Sequence, residues 1–370
     1  MEFNYRLILM LGVTSLFADW LYEGMRAALP QYLKALGASA LFVGLLFGVG
    51  DALGYLLRFA TGPLADRRGG YWGETFAGYA AQVLAVAGLA IFPSLPAAAG
   101  LALLERSAKA LRTPARDAII SAAGGRRQSM AFGIHASIDQ IGAVLGALTS
   151  TVLLALGVAY RDLFLLLALP GAAALATLWL AYSSRLRPRR ITGEGRGSLR
   201  LPLLLFAASQ FMFGASLMHI SLEMYGETAA WLASSIYLAA MAFEIPASLL
   251  WGRLHEGRRA VVFAGPPVAF LATLFFARGD LLGAFAGALA YSLATSYADI
   301  VAKAEAVRMS SGGRATALGA VNAAFGLGYI AAGGIYGYLL QEGLLAWAPA
   351  ASLCLAAGSF LFAYLSLRSL

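Results

Sequence analysis

Apolar runs of roughly 20 residues recur along this chain from end to end, separated by short polar turns, and they leave few folds open. A water-soluble protein has no way to cover so much apolar surface. Hydrophobic residues make up 60% of the 370 and charged residues only 12%, against about a quarter charged in ordinary globular chains. In hydrocarbon, every backbone N–H and C=O must find its partner inside the protein, which restricts spanning structures to helices and closed barrels. Runs of this length read as helices. They predict spans at about 6–33, 40–64, 73–94, 97–121, 129–158, 162–183, 202–226, 229–253, 260–278, 281–309, 314–340 and 344–367. The first run carries Asp19 and Glu23 and no small-residue cleavage site, so it reads as a span and not as a removable leader. The single cysteine, Cys354, excludes an intramolecular disulfide and a cysteine-based zinc site.

The connections alternate in charge. One set carries Arg67 and Arg68, Arg126 and Arg127, the cluster Arg185, Arg187, Arg189, Arg190, Arg196 and Arg200, then Arg253, Arg258, Arg259 and Arg314. The other set carries only Lys34, Arg161 and Arg278. Loops rich in Lys and Arg stay cytoplasmic, so the frame predicts an even number of spans in the cytoplasmic membrane with both termini inside. The net charge of +8 is then a topology signal, and nucleic acid is not an expected partner.

The polar interval SRLRPRRITGEGRGSLR (184–200) lacks apolar periodicity and divides six spans from six. The expected organisation is a first half at 1–183, a cytoplasmic linker at 184–201 and a second half at 202–370. The second half echoes the first. Gly62 to Asp66 ends span 2 and Gly252 to Glu256 ends span 8; GGRRQSMAFG (124–133) opens span 5 and GGRATALG (312–319) opens span 11. Two halves repeated about an axis along the membrane normal characterise one large class of secondary transporter. The fold expected is an all-α membrane protein of twelve transmembrane helices in two pseudo-symmetric six-helix halves.

Charge inside the spans is the second constraint. In LALLERSAKALRTPARDAII (101–120), Glu105, Lys109, Arg112 and Arg116 follow i, i+4, i+7, i+11 and share one stripe, while Arg106 and Asp117 fall outside it and read as structural. Asp19, Glu23 and Arg26 are spaced the same way in span 1. Span 2 adds Asp51 and Arg58, span 5 Asp139, span 8 Glu244, and span 10 Asp299, Lys303 and Glu305. A charge on a lipid-facing helix costs at least ~2.5–3.5 kcal/mol near the bilayer centre. These stripes are therefore expected to face one another or a water-filled cavity. His135 reads as structural. His219 and Glu223, four apart in span 7, are either half of a metal site or a satisfied polar contact. The glycine pairs Gly44/Gly48, Gly50/Gly54, Gly142/Gly146 and Gly283/Gly287 read as close helix packing, as does Gly326-Leu-Gly328. Pro114 and Pro246 read as points that loosen spans 4 and 8. G-x-S-x-G, H-E-x-x-H, P-loop and CxxC motifs are missing, so soluble-type catalysis lacks candidate residues.

GPLADRRGG (62–70) resembles the signature loop between spans 2 and 3 of the major facilitator superfamily, which reads roughly G-x-L-a-D-R-x-G-x-R/K. The resemblance implies a conformational half-switch carried by Gly62, Asp66, Arg67 and Gly69, with Glu256 at its echo in the second half. Tyr71 and Trp72 stand where the motif ends on a basic residue. Span 4 resembles that of a branch of mostly uncharacterised exporters, D-R-x-G-K-G-x-R-T-x-x-R-D-A, matched by Glu105, Arg106, Lys109, Arg112, Thr113, Arg116, Asp117 and Ala118. Ala108 and Ala110 replace two of its glycines. The resemblance extends to ADWLYEGMRAALPQYLKALGAS (18–39) and to AFGIHASIDQIGAVLG (131–146), where Asp139 is a packing or gating residue.

The resulting expectation is a proton-coupled secondary transporter, an exporter by that resemblance, working by alternating access. It is expected to be a monomer, not an enzyme, with no cofactor; its partners are a small-molecule or ion substrate, protons and membrane lipids. The residues expected to handle substrate or protons are Asp19, Glu23, Asp51, Glu105, Lys109, Arg112 and Arg116. Whether Lys109 or Arg112 is the cation that releases a carboxylate stays open. One alternative is a divalent-metal exporter using Asp19, Glu23, His219 and Glu223, oxygen and nitrogen ligands suited to such ions. A lipid flippase or a membrane-embedded enzyme is a further one.

Overall fold

The computed structural model describes residues 3–183, 200–310 and 314–369, so the expected linker lies outside the described residues except for its last two. Among the described residues there is no strand, and the helices fall into twelve successive spans. These are Tyr5–Ala35, Ala40–Arg68, Tyr71–Ile91, Leu95–Gly124, Gln128–Ala155, Tyr160–Tyr182, Leu201–Gly226, Ala230–Gly257, Ala260–Phe276, Leu281–Arg308, Arg314–Gln341 and Leu345–Arg368. Ten are long and apolar enough to cross a membrane. Span 9 is shorter, and span 4 carries too much charge between Glu105 and Asp117 to qualify by composition. Large apolar side chains such as Leu84, Leu169, Trp179, Leu249 and Leu361 are exposed, as lipid contact requires.

The chain packs as two compact units: Met1–Gly37, Leu57–Thr192 and Ala229–Leu238 form one, and Ala38–Leu56, Gly193–Thr228 and Ala239–Leu370 the other. Spans 2 and 8 are each divided between them. Within the first unit, span 1 packs on spans 5 and 6, and span 3 on spans 4 and 6. Within the second, span 7 packs on spans 11 and 12, and span 9 on spans 10 and 12. The second pattern is the first with six added to every number, which is how the repeated sequence signals appear in three dimensions.

Small residues bring the central helices together. A Cβ on Gly146 would lie 2.6 Å from the Gly24 nitrogen, so span 5 touches the span 1 backbone there. Gly54 has open space where its Cβ would be; the Gly50/Gly54 pair is thus not a packing seam on that side.

Span 7 departs from the expected continuous helix. It forms Leu201–Ser216 and Ile220–Gly226, with Leu217 and His219 extended between them. No proline or glycine stands at the break; tertiary partners replace the lost helical bonds. The Ser216 carbonyl accepts from Thr273 Oγ1 (3.0 Å), Tyr336 OH (2.8 Å) and Ser352 Oγ (2.7 Å). The Met218 N–H donates to Thr273 Oγ1 at 2.9 Å. Irregular backbone at membrane depth survives when neighbours satisfy it in this way. His219 consequently sits outside the helix as the residue that caps Ile220–Gly226, so the expected i, i+4 helical pairing of His219 with Glu223 is not formed.

Span 4, by contrast, runs unbroken through Pro114. Proline cannot donate to the carbonyl four residues earlier, and here the Thr61 hydroxyl of span 2 donates to Ala110 O at 2.9 Å. Thr61→Val should destabilise the protein by about 1 kcal/mol. In a Pro114→Ala background, where a backbone N–H returns, the same change should cost close to nothing. Thermal unfolding of the four proteins in detergent measures this coupling, and equal costs in both backgrounds would refute it.

Candidate functional site

The charged stripe of span 4 lies in the first unit, against spans 1, 3 and 5. Arg112 has no exposed surface. Its Nε donates to Gln82 Oε1 (2.5 Å), Nη1 to Tyr79 OH (3.1 Å) and Nη2 to Asp19 Oδ1 (3.3 Å). Span 3 can come this close because it has Gly78, where a Cβ would lie 2.5 Å from that of Arg112. Gln82 in turn donates from Nε2 to Glu105 Oε1 at 2.6 Å, and the other Glu105 oxygen lies 3.8 Å from Arg106 Nε. A buried arginine held in this way on three sides is a fixed element.

Lys109 is held differently. Its Nζ lies 4.0 Å from Asp19 Oδ2 and 3.9 Å from Glu23 Oε1, and 3.8 Å from the centre of the Tyr22 ring. Its side chain is 22% exposed, against 0% for Arg112. The ammonium is thus shared between two carboxylates at long range. Glu23 has its own fixed contact, accepting from Tyr237 OH at 2.5 Å through Oε2. Tyr22 OH accepts from both Arg26 Nη1 (2.9 Å) and Arg106 Nη1.

Towards the other end of span 4, Arg116 donates twice to Asp117 Oδ1 (3.0 and 2.9 Å) and once to Ser15 Oγ (3.2 Å). Ser15 Oγ also meets Tyr79 OH at 2.9 Å and His135 Nε2 at 2.8 Å. One continuous polar network therefore runs from Glu105 through Gln82, Arg112, Tyr79 and Ser15 to His135 and Arg116. Asp139 in span 5 is part-buried, and its Oδ1 has no hydrogen-bond partner among the described residues.

The structure thus brings Asp19, Glu23, Glu105, Lys109, Arg112 and Arg116 together in one unit. Arg106 and Asp117, set aside as outside the stripe, join the network through Tyr22 and Arg116. Asp51 belongs to the other unit, where its Oδ2 lies 3.1 Å from His219 Nε2. His219 and Glu223 are in that same second unit, and Asp19 and Glu23 in the first. Among the described residues no three His, Cys, Asp or Glu side chains gather as metal ligands. The position between Asp19 and Glu23 is held by the Lys109 ammonium, which repels a bare cation. In span 10, Lys303 pairs with Asp299 and Arg308 with Glu305. Gly69 takes a positive φ of 65° at the turn after span 2, and Glu256 is exposed at the end of span 8. The side chains of Asp66 and Arg67 and the surroundings of Gly62 lie outside what the structure describes.

Tyr22, Tyr79, Gln82, Ser15 and Tyr237 were not among the expected site residues. Each is neutral, so its presence in a span carries little of the energetic signal that a charge does. Gln82 alone offered one, as an amide within the strongly apolar run of span 3.

A helical bundle with lipid-facing apolar surface and an ion-paired polar interior is a multi-pass membrane protein, and its six-plus-six pairing is that of transport proteins. The model of the Major Facilitator Superfamily matches residues 8–277. The chain is 34% identical over 365 residues to the uncharacterized protein Mb2288 of Mycobacterium bovis, covering 90% of this chain and 87% of that one. The same figures hold for the uncharacterized protein Rv2265 of Mycobacterium tuberculosis. The uncharacterized MFS-type transporter MJ1317 of Methanocaldococcus jannaschii is 28% identical over 173 residues, 46% of this chain and 44% of that one. Among solved structures, a mutant of the nucleoside transporter NupG superposes with a TM-score of 0.79 at 16% identity, covering 98% of this chain and 99% of that one. The POT family transporter PepTSo gives 0.76 at 14% identity, with 100% and 99% covered. The chain belongs to the major facilitator superfamily: it has the fold expected from its sequence and is a secondary transporter, not an enzyme.

Two of the four cations of span 4, Arg112 and Lys109, should respond unequally to removal. Arg112→Met leaves Asp19 and Gln82 without their shared donor and should cost about 3–5 kcal/mol. Lys109→Met should cost less than about 1 kcal/mol. Denaturant or thermal unfolding in detergent reads the difference, and a larger loss for Lys109→Met would exchange their roles.

Proposed function

We propose that this chain is a proton-coupled transporter of a small solute, with Lys109 as the cation that changes partners. The observation that carries the reading is the unequal grip on the two cations: Arg112 is hydrogen-bonded on three sides, whereas Lys109 hovers about equally far from Asp19 and Glu23. Adding a proton to one of those carboxylates removes its attraction for Lys109, and the ammonium moves towards the other. The energetic cost of that movement is small because neither contact is a formed hydrogen bond. Arg112 stays with Asp19 and keeps the rest of the network in place.

In this reading the charge rearrangement biases a rocking motion of two six-helix halves, 1–183 and 202–370, joined by the cytoplasmic segment 184–201, with both termini in the cytoplasm. The 62–70 loop and Glu256 act as gates, and Asp139 lies beside the path of Arg116. The resemblance of span 4 supports export of the solute from a monomeric carrier.

The test uses proteoliposomes and a solute first identified by its stabilisation of the purified protein, since only a ligand of the folded state raises its melting temperature. Glu23→Gln and Asp19→Asn should each reduce flux driven by a pH gradient at least tenfold while solute exchange without a gradient continues. Gradient-driven flux at the wild-type rate in both variants would remove these carboxylates from coupling.

A further inference from the structure

The break in span 7 contains hydrogen bonds that fix where a proton sits. The backbone N–H of Ser221 donates to His219 Nδ1 at 3.1 Å, and Ser221 Oγ lies 2.7 Å from the same nitrogen. A backbone amide can only donate, so Nδ1 carries a lone pair and the ring proton is on Nε2. That Nε2–H points to Asp51 Oδ2 at 3.1 Å. His219 is therefore neutral in this arrangement, clamped between an acceptor and a donor.

The cap and a charged imidazole exclude each other. A proton on Nδ1 would turn it into a donor facing the Ser221 amide, another donor. The Ser221 hydroxyl can rotate to accept from the new N–H, and Asp51 then holds a full ion pair through Nε2. The one bond lost is the cap itself. Its loss acts locally, because the end of Leu201–Ser216 is pinned by three hydroxyls on Ser216 O. Ile220–Gly226, seven residues long, is far below the length at which an isolated helix persists.

We propose that Asp51 and His219 form a proton-binding site of the transporter, and that loading it uncaps Ile220–Gly226. His219 is buried among the rings of Phe47, Tyr291 and Tyr329, with centroids 5.4, 5.7 and 5.4 Å away. Asp51 from span 2, Tyr291 from span 10 and Tyr329 from span 11 face it, with Tyr55 of span 2 beside Tyr329; Glu223 lies within the capped segment and Glu227 ends it. The two tyrosine hydroxyls are 3.3 Å apart, and the carboxylate in contact with the ring is that of Asp51. The chemistry of the pair stands independently; its part in transport rests on the proton-coupled reading.

The chain has three histidines, His135, His219 and His255, which makes nitrogen NMR of imidazole-labelled, full-length protein in detergent tractable. In alkaline buffer His219 should show a protonated Nε2 and a hydrogen-bonded, unprotonated Nδ1. On acidification both nitrogens should become protonated, and amide exchange in Ile220–Gly226 should accelerate about five-fold, the effect of losing one helix cap. His219→Gln should abolish the pH dependence of that exchange. Ser221→Ala keeps the backbone donor and should retain the titration if His219→Gln proves unfolded. A proton on Nδ1 in alkaline buffer, or exchange unchanged across the His219 transition, overturns the proposal. Gradient-driven flux by His219→Gln with the wild-type pH profile overturns the site's part in transport without touching the role of Lys109.

Discussion

A guanidinium with no exposed surface in the middle of a helical bundle must be compensated on the spot, because neither lipid nor water can do it. Arg112 imposes that requirement on everything around it. Asp19 supplies the charge, and Gln82 and Tyr79 accept from the other two nitrogens. Gly78 lets span 3 approach closely enough to deliver both. Gln82 hands the connection on to Glu105, and Tyr79 hands it to Ser15, His135 and Arg116. The polar interior of the first unit is thus an extension of the solvation of one side chain.

That rigid centre gives meaning to the looseness beside it. Asp19 belongs to both cations, fixed to Arg112 through one oxygen and near Lys109 through the other. A change in the charge of Glu23 therefore reaches Lys109 without touching the contacts of Arg112. In the second unit, hydrogen-bond direction at His219 and not charge sharing fixes where the ring proton sits.

The fold was legible because hydrocarbon demands long apolar helices, and because the paired signals at Gly62/Gly252 and Gly124/Gly312 revealed the repeat. Glu105, Lys109, Arg112 and Arg116 were legible as one inward polar face because charges at helical spacing inside spans are too costly to be incidental. The partners of those charges were not. Tyr22, Tyr79 and Ser15 look like ordinary residues of apolar helices, and Tyr237 reaches Glu23 from span 8, far along the chain. The break at Leu217–His219 was invisible for a related reason. The residues that make it tolerable, Thr273, Tyr336 and Ser352, lie on three other spans, while 202–226 itself has no breaker at that point. Asp51, grouped by sequence with the span 4 charges, has His219 as a hydrogen-bond partner within the second unit. Spacing within one helix predicts a face; it does not predict which helix that face will meet.

The central proposal is that the carboxylates sharing Lys109 exchange a proton during transport. Infrared difference spectroscopy on the purified protein, between alkaline and acidic buffer, detects the carbonyl stretch of each newly protonated carboxyl without needing a known solute. The account predicts a carboxyl band that is lost or shifted in Glu23→Gln or Asp19→Asn. A band that survives both substitutions unchanged would contradict it.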